Sequence, residues 1–213
     1  MDAVVMAGGQ GLRLGMGEKP CVELLDKSLI CYVIDALEEA EHVDIIYATV
    51  SPSTPNTEEI VNRCYGGRVP TINTAGDNYV GDMVYAVESA GIKGPVMVIM
   101  SDLPLITHEL IDSIIVAYED CGKPSMSVFV PISICKEIGM RPDTVFNWEG
   151  ELIVPAGINI LDAENINEEQ DYHNYLLTVP EVAMNVNTAK DLKHCEDLLL
   201  KRRGRVAGVA EHG

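Results

Sequence analysis

The sequence is short of positive charge, lacks long apolar runs, and has no closely spaced cysteine pairs. Only 15 of its 213 residues are Lys or Arg, against 33 Asp or Glu, giving a formal net charge of −18. A surface of that sign repels a phosphate backbone, so general nucleic-acid binding is excluded. The longest apolar runs, such as residues 96–100, are far too short to span a bilayer. Residues 1–20 contain no basic stretch leading into an apolar core, so no secretion signal is expected and the cytoplasm is the expected compartment. Cys21, Cys31, Cys64, Cys121, Cys135 and Cys195 show neither zinc-knuckle nor C-x-x-C spacing. They read as free thiols, buried or partly buried. What is present is ordinary for a soluble globular chain: 47% hydrophobic and 23% charged residues.

An acidic protein that handles an anionic substrate needs a local exception to its own field. Six basic residues lie between Lys190 and Arg205, leaving nine for the first 189 positions. Two of those nine, Arg13 and Lys19, sit in one glycine-rich loop. The group at residues 201–205 follows a helical stretch, where cations are favoured by the helix dipole, and a binding patch is the alternative.

Apolar runs and helical periodicities alternate along most of the chain. Strands are expected at residues 2–7, 43–50, 69–73 and 95–100, and helices at 28–41, 56–65, within 76–91 and at 107–121. This rhythm predicts parallel βαβ units: an α/β, Rossmann-like three-layer sandwich with a mostly parallel sheet. The rhythm breaks after residues 125–131, and residues 133–155 show little periodicity. Further strands are expected at 156–161 and 181–186. A helix over 188–201 is opened by a capping box of Thr188 and Asp191. One domain, residues 1–203, followed by a flexible tail over 204–213, is the expected organisation.

The loop after the first strand reads Ala7-Gly8-Gly9-Gln10-Gly11-Leu12-Arg13-Leu14-Gly15. Glycines there allow positive φ and let backbone N–H groups approach an oxyanion, though a plain strand-ending turn would also use them. Two phosphate motifs are excluded. Leu14 stands where a dinucleotide fingerprint needs its third glycine, and no G-x-x-x-x-G-K-[ST] occurs. What remains is a long pattern running to Lys19-Pro20.

The string MAGGQGLRLGMGEKP resembles the signature of the nucleotidyltransferase superfamily that includes sugar-1-phosphate and molybdopterin nucleotidyltransferases. The resemblance implies a loop that wraps a triphosphate, with Arg13 and Lys19 neutralising it as pyrophosphate leaves. SDLP, directly after an apolar strand, resembles the superfamily's metal-binding segment, which makes Asp102 a catalytic and metal-holding candidate. Asn187, in NVNT, resembles a second metal-side element, with a polar residue before a helix cap as the alternative. Together with IYATVSPSTPNT, LIVPAGINI and NVNTAKDLK, these motifs are most similar in order and spacing to the archaeal corrinoid guanylyltransferases, across essentially residues 1–201. That family implies GTP as donor, adenosylcobinamide phosphate as acceptor, and Mg²⁺ as the divalent cation.

The nucleotide-binding candidates are Ala7, Gly8, Gly9, Gly11, Arg13, Lys19, Ser51, Thr54, Gly76, Asp77 and Asp82. For Asp77 and Asp82, acids placed by a helix dipole are an equal alternative. Gly157 and Asn159 are acceptor-side candidates, with a bulge as the competing explanation for a glycine inside a strand. His42, His108, His173, His194 and His212 fall in none of the motifs. A phosphate-monoester acceptor, with its second pKa at about 6, is largely ionised at neutral pH and needs no base. Two readings stay open beside corrinoid guanylylation: a molybdopterin or sugar-phosphate nucleotidyltransferase, and a nucleotide-binding regulator without turnover. The oligomeric state is not legible in the sequence.

Overall fold

The computed structural model describes residues 1–9, 11 and 14–210, with side chains as far as Arg202. Arg13, one of the two loop cations, lies outside the described residues, as does His212.

Strand β1 (Asp2–Met6) lies at the centre of an eight-stranded sheet. β4 (Ile46–Val50) and β6 (Pro95–Met100) flank it, both parallel to it, and β5 (Thr71–Asn73) extends the sheet beyond β4. On the other side the order continues through β9 (Glu151–Asp162), β7 (Ser125–Pro131) and β10 (Tyr172–Leu176). β9 runs antiparallel to both β6 and β7, while β10 is parallel to β7. A short β8 (Phe146–Trp148) forms a hairpin with β9, and β2 (Glu23–Leu24) and β3 (Lys27–Ser28) make a separate ribbon.

The period-two alternation of β1 decides the layers. Ala3 and Val5 face one core with α1 (Leu29–Glu39) and α4 (His108–Cys121), where Ile30, Ile34, Ile111 and Ile115 are buried. Val4 and Met6 face a smaller core with α3 (Tyr79–Ala90), through Met83, Ala86 and Val87. Helices on both faces of a mostly parallel sheet are the expected sandwich. A second helix, α2 (Pro55–Tyr65), connects β4 to β5.

The second half departs from the expectations in three places. Residues 181–186 are not a strand. Pro180 opens the short helix α6 (Pro180–Ala183), its fixed φ and missing N–H suiting the first helical position. The chain then bonds to a loop rather than to a ladder, with the Val186 N–H donating to the Asp102 carbonyl at 3.0 Å. The sheet edge is taken instead by β10, whose Tyr-rich sequence has strand propensity but little alternation of burial. The stretch without periodicity contains α5 (Ile132–Glu137), β8 and the first half of β9. The β8–β9 turn places Glu149 at φ 51° and Gly150 at φ 89°, the positive angles that a two-residue hairpin of matching twist requires. The final helix α7 (Ala189–Ala210) opens on the expected capping box, with Asp191 Oδ2 accepting from the Thr188 N–H at 2.8 Å and Thr188 Oγ1 accepting from the Asp191 N–H at 3.2 Å. It continues past Gly204, the expected start of the tail.

Because β1, β4, β5 and β6 are parallel, the loops after them gather at one edge of the sheet. Those loops carry the glycines, Ser51, Gly76 and Asp102.

Candidate nucleotide site

Three loops are tied together beneath the glycine segment. The Ala7 N–H donates to Thr49 Oγ1 at 3.0 Å, and Ser51 Oγ donates to the Gly8 carbonyl at 2.9 Å. Thr54 Oγ1 accepts from the Ser51 N–H at 2.9 Å. Asp82 spreads both carboxylate oxygens over the Gly76 N–H, at 3.1 and 3.2 Å. Ser51, Thr54 and Asp82 are all buried, so they hold the floor of the site and Gly76 and Gly8 ride above them. Gly76 has φ 78°, and a Cβ there would stand 2.6 Å from Ser51 Cβ. Gly11, at φ 61°, passes so close to Lys19 that a Cβ would lie 2.3 Å from the lysine's own Cβ. The glycine at this position is demanded by the loop folding back on its lysine. Asp77 is exposed ahead of Asn78, whose Oδ1 caps α3.

The Lys19 ammonium forms an ion pair with Asp102 Oδ2 and donates to Asn187 Oδ1 at 2.7 Å. Residues 83 and 168 positions from Lys19 are thus brought onto one nitrogen. Asp102 stands at the C-terminal end of β6, with 4% of its surface exposed, and does not cap α4. Thr107 does that, its Oγ1 accepting from the Leu110 N–H at 3.4 Å. Asn187 reaches Asp102 because Val186 is bonded to the Asp102 backbone, and Asp191 holds the Asn187 N–H at 3.1 Å.

A hard divalent cation needs oxygen ligands, and Asp102 and Asn187 offer a carboxylate and an amide oxygen converging on one point. Among the described residues there is no cluster of three or more His, Cys, Asp or Glu that could hold a metal alone. The donor set fits a cation that draws its remaining ligands from phosphate oxygens and water, as magnesium does.

These groups line a cleft of about 740 Å³, with Gly9, Gly11, Lys19, Gly76, Asp102 and Asn187 on its wall. The rest of the wall is largely apolar, formed by Met100, Cys135, Met140, Pro142, Val154, Pro155, Ala156, Val182 and Ala183, with Asp143, Thr144 and Asn185 among them. Gly157 is also on the wall. Its φ is 75°, and a Cβ would stand 2.8 Å from Met100 Cγ. The register of β9 against β7 shifts between Ser127 and Phe129, so the bulge is real and also shapes the wall. Asn159 is not on the wall, and its Oδ1 accepts from Ser127 Oγ at 2.8 Å.

The sequence marks the segment around Gly157 as acceptor-side, and Pro155, Ala156 and Gly157 do line the cleft, but the rest of the apolar wall is not legible in it. Met140 and Pro142 lie in the stretch without periodicity, and Val182 in the residues expected to be a strand. Only the glycine and proline punctuation near Gly139 and Pro142 marked a loop there. No histidine lines the cleft among the described residues. Burial pushes the Cys135 thiol upward, and burial with nearby Asp191 and Asp102 pushes Cys195 to about 12. Both thiols therefore stay protonated near neutral pH and supply no nucleophile. In the basic group near the C-terminus, Arg202 is bound to Glu181 and to the Leu105 carbonyl (3.3 Å), which serves the docking of α7 rather than an open patch. No described helix is long and apolar enough to cross a membrane.

Residues 3–132 match the family described as the MobA-like NTP transferase domain. The chain is 34% identical over 212 residues to the adenosylcobinamide-phosphate guanylyltransferase of Methanocaldococcus jannaschii, covering 96% of this chain and all of that protein. It is 33% identical over 125 residues to a probable molybdenum cofactor guanylyltransferase of Thermococcus kodakarensis, covering 59% of this chain and 57% of that one. Among solved structures, CMP:2-keto-3-deoxy-manno-octonic acid synthetase complexed with CTP superposes with a TM-score of 0.73 at 14% identity, over 95% of this chain and 98% of that one. The glycine loop on β1, the lysine it delivers to Asp102 and the match along both sequence and fold place this chain in the MobA-like NTP transferase family.

Proposed function

We propose that this protein transfers GMP from GTP to adenosylcobinamide phosphate, releasing pyrophosphate, as a cytoplasmic Mg²⁺-dependent enzyme. The observation that carries the reading is the convergence of Lys19, Asp102 and Asn187 on the wall of a cleft whose remaining lining is largely apolar. The polar group suits a triphosphate and its cation. The apolar lining suits a bulky acceptor that brings its own phosphate. Support for the corrinoid acceptor comes from the Methanocaldococcus relative, which aligns over its full length, whereas the molybdenum cofactor relative matches little more than half.

The acceptor phosphate is largely ionised at neutral pH and attacks the α-phosphorus without a base, in keeping with a cleft wall free of histidine among the described residues. Catalysis then reduces to in-line positioning and charge neutralisation. Lys19 would leave Asp102 for the β- and γ-oxygens, with Arg13 as its partner cation. Asp102 and Asn187 would hold Mg²⁺, which supplies Lewis-acid polarisation of the phosphates. The N–H groups of Gly9 and Gly11 would approach the phosphates, while Ser51, Thr54 and Asp82 keep the loops in register. Asp77, on the open side next to Gly76, is a candidate contact for ribose or base, and Gly157 for the acceptor's side.

The test is direct. The protein is incubated with Mg²⁺ and each of the four ribonucleoside triphosphates, with and without adenosylcobinamide phosphate, and pyrophosphate is assayed. Release that requires both GTP and the corrinoid is expected. Tight GTP binding without release for any acceptor would instead mark a regulator and overturn the proposal.

A further inference from the structure

Glu18, the residue immediately before Lys19, turns both carboxylate oxygens onto a distant helix, with Cys21 Sγ of its own turn as one further donor to Oε2 at 3.5 Å. Its Oε1 accepts from the Asn56 N–H at 2.9 Å and from Asn56 Nδ2 at 2.7 Å. Its Oε2 accepts from the Thr57 N–H at 2.7 Å and Thr57 Oγ1 at 2.8 Å. These are the first free N–H groups of α2, which the residue at the N-cap position, Thr54, does not serve. Thr54 turns its hydroxyl to Ser51, and Pro55 has no N–H to satisfy. The cap of α2 is thus supplied from about 38 residues upstream, by the end of the glycine loop. Burial would raise the Glu18 carboxyl, but the hydrogen bonds from Asn56 and Thr57 outweigh it and hold it below the usual range, so it is charged at neutral pH.

The other side of the same turn is also restrained. Gly11 packs on the Lys19 backbone and Cβ, and Cys21 and Val22 close a 3₁₀ turn by donating to the Glu18 and Lys19 carbonyls at 3.0 and 3.2 Å. Lys19 therefore leaves the main chain at a point fixed by Gly11 on one side and by the cap on the other. We infer that Glu18 is a positioning residue, which aims Lys19 into the cleft by anchoring the end of the glycine loop to the N-terminus of α2. This inference rests on the reading of Lys19 as a triphosphate-holding cation.

The experiment measures dissociation constants for GTP and GMP by calorimetry in wild type, Glu18→Gln, Lys19→Ala and the double variant. Glutamine keeps the shape of Glu18 but sets an amide donor against the Thr57 N–H. Lys19→Ala is expected to weaken GTP by about tenfold, roughly the contribution of one charge-assisted contact, and to leave GMP unchanged. Glu18→Gln is expected to weaken GTP several-fold, leave GMP unchanged, and add little further loss in the Lys19→Ala background. A Glu18→Gln protein that binds GTP like wild type, loses GTP and GMP alike, or adds its full loss to that of Lys19→Ala overturns the inference. If Lys19→Ala itself binds GTP normally, the reading of Lys19 falls first and this one with it. Should Glu18→Gln fail to fold, Thr57→Val, which removes one donor to the same carboxylate, is judged by the same outcomes.

Discussion

At the scale of single residues, the ion pair of Lys19 and Asp102 carries two duties that can be separated. Asp102 is nearly buried and takes its charge balance from Lys19. Removing the lysine leaves a carboxylate with little solvent, a loss of at most about 3 kcal/mol because the cleft admits water. Lys19→Ala is therefore expected to melt lower in metal-free buffer and to recover much of the difference when Mg²⁺ is added. Its turnover should stay down by roughly 10²-fold or more even with Mg²⁺. Thermal melts with and without Mg²⁺, beside a pyrophosphate assay, check both halves, and an equal deficit in both buffers would remove Asp102 from the cation site. The glycines make a second contrast. Gly76→Ala must hold a positive φ and push Ser51 aside, which should cost about 2 kcal/mol. Gly9 has nothing within 4 Å of its missing Cβ, so Gly9→Ala should leave the urea midpoint close to wild type.

Elements are joined by a few carboxylates set over backbone N–H groups. On α4, Asp112 accepts from the Glu41 N–H at 3.1 Å, the His42 N–H at 2.9 Å and His42 Nδ1 at 3.0 Å, so it pins the connection from α1 toward β4. Burial would raise this carboxyl, yet the bonds from Glu41 and His42 outweigh it and hold it below the ordinary aspartate range. A lowered folded pKa means the contribution is complete above the unfolded value of about 3.9 and is lost as pH falls through the folded one. Part of the acid destabilisation below about pH 4 should thus belong to Asp112, and the urea midpoint of Asp112→Asn should change less between pH 6 and pH 3 than that of wild type. An identical pH profile in the variant would deny Asp112 that role. Helix boundaries set by such devices differ in how far they could be read in advance. The Thr188–Asp191 box is local and legible in four residues, whereas the cap of α2 by Glu18 involves a residue 38 positions away and has no local signature.

Across the whole molecule, a net charge of −18 surrounds a site meant for an anion. The far field opposes a nucleotide, and the local cations must win within a few ångströms. Salt with a Debye length of about 10 Å at 0.1 M screens the first more than the second. The association rate of GTP, followed by stopped flow, is therefore expected to rise between low and moderate ionic strength. A rate that falls with salt would mean the cations dominate the approach as well. The layered fold was legible because its signals are short-range. Period-two burial in β1, helical spacing in α1 and α4, and glycines after a buried strand are each complete within about a dozen residues. Those local patterns, with the run from Gly8 to Lys19 and the Asp102 that ends β6, are what the sequence by itself determined. Tertiary structure decided the rest: which oxygen atoms meet on the Lys19 nitrogen from 83 and 168 residues away, that Ser51 and Asp82 support the loops from beneath, that residues 181–186 bond to a loop while β10 takes the edge, and that the remaining wall of the cleft is largely apolar. Each of these depends on partners remote in the chain, and a contact between distant segments leaves no period, cap or turn residue in either one to announce it.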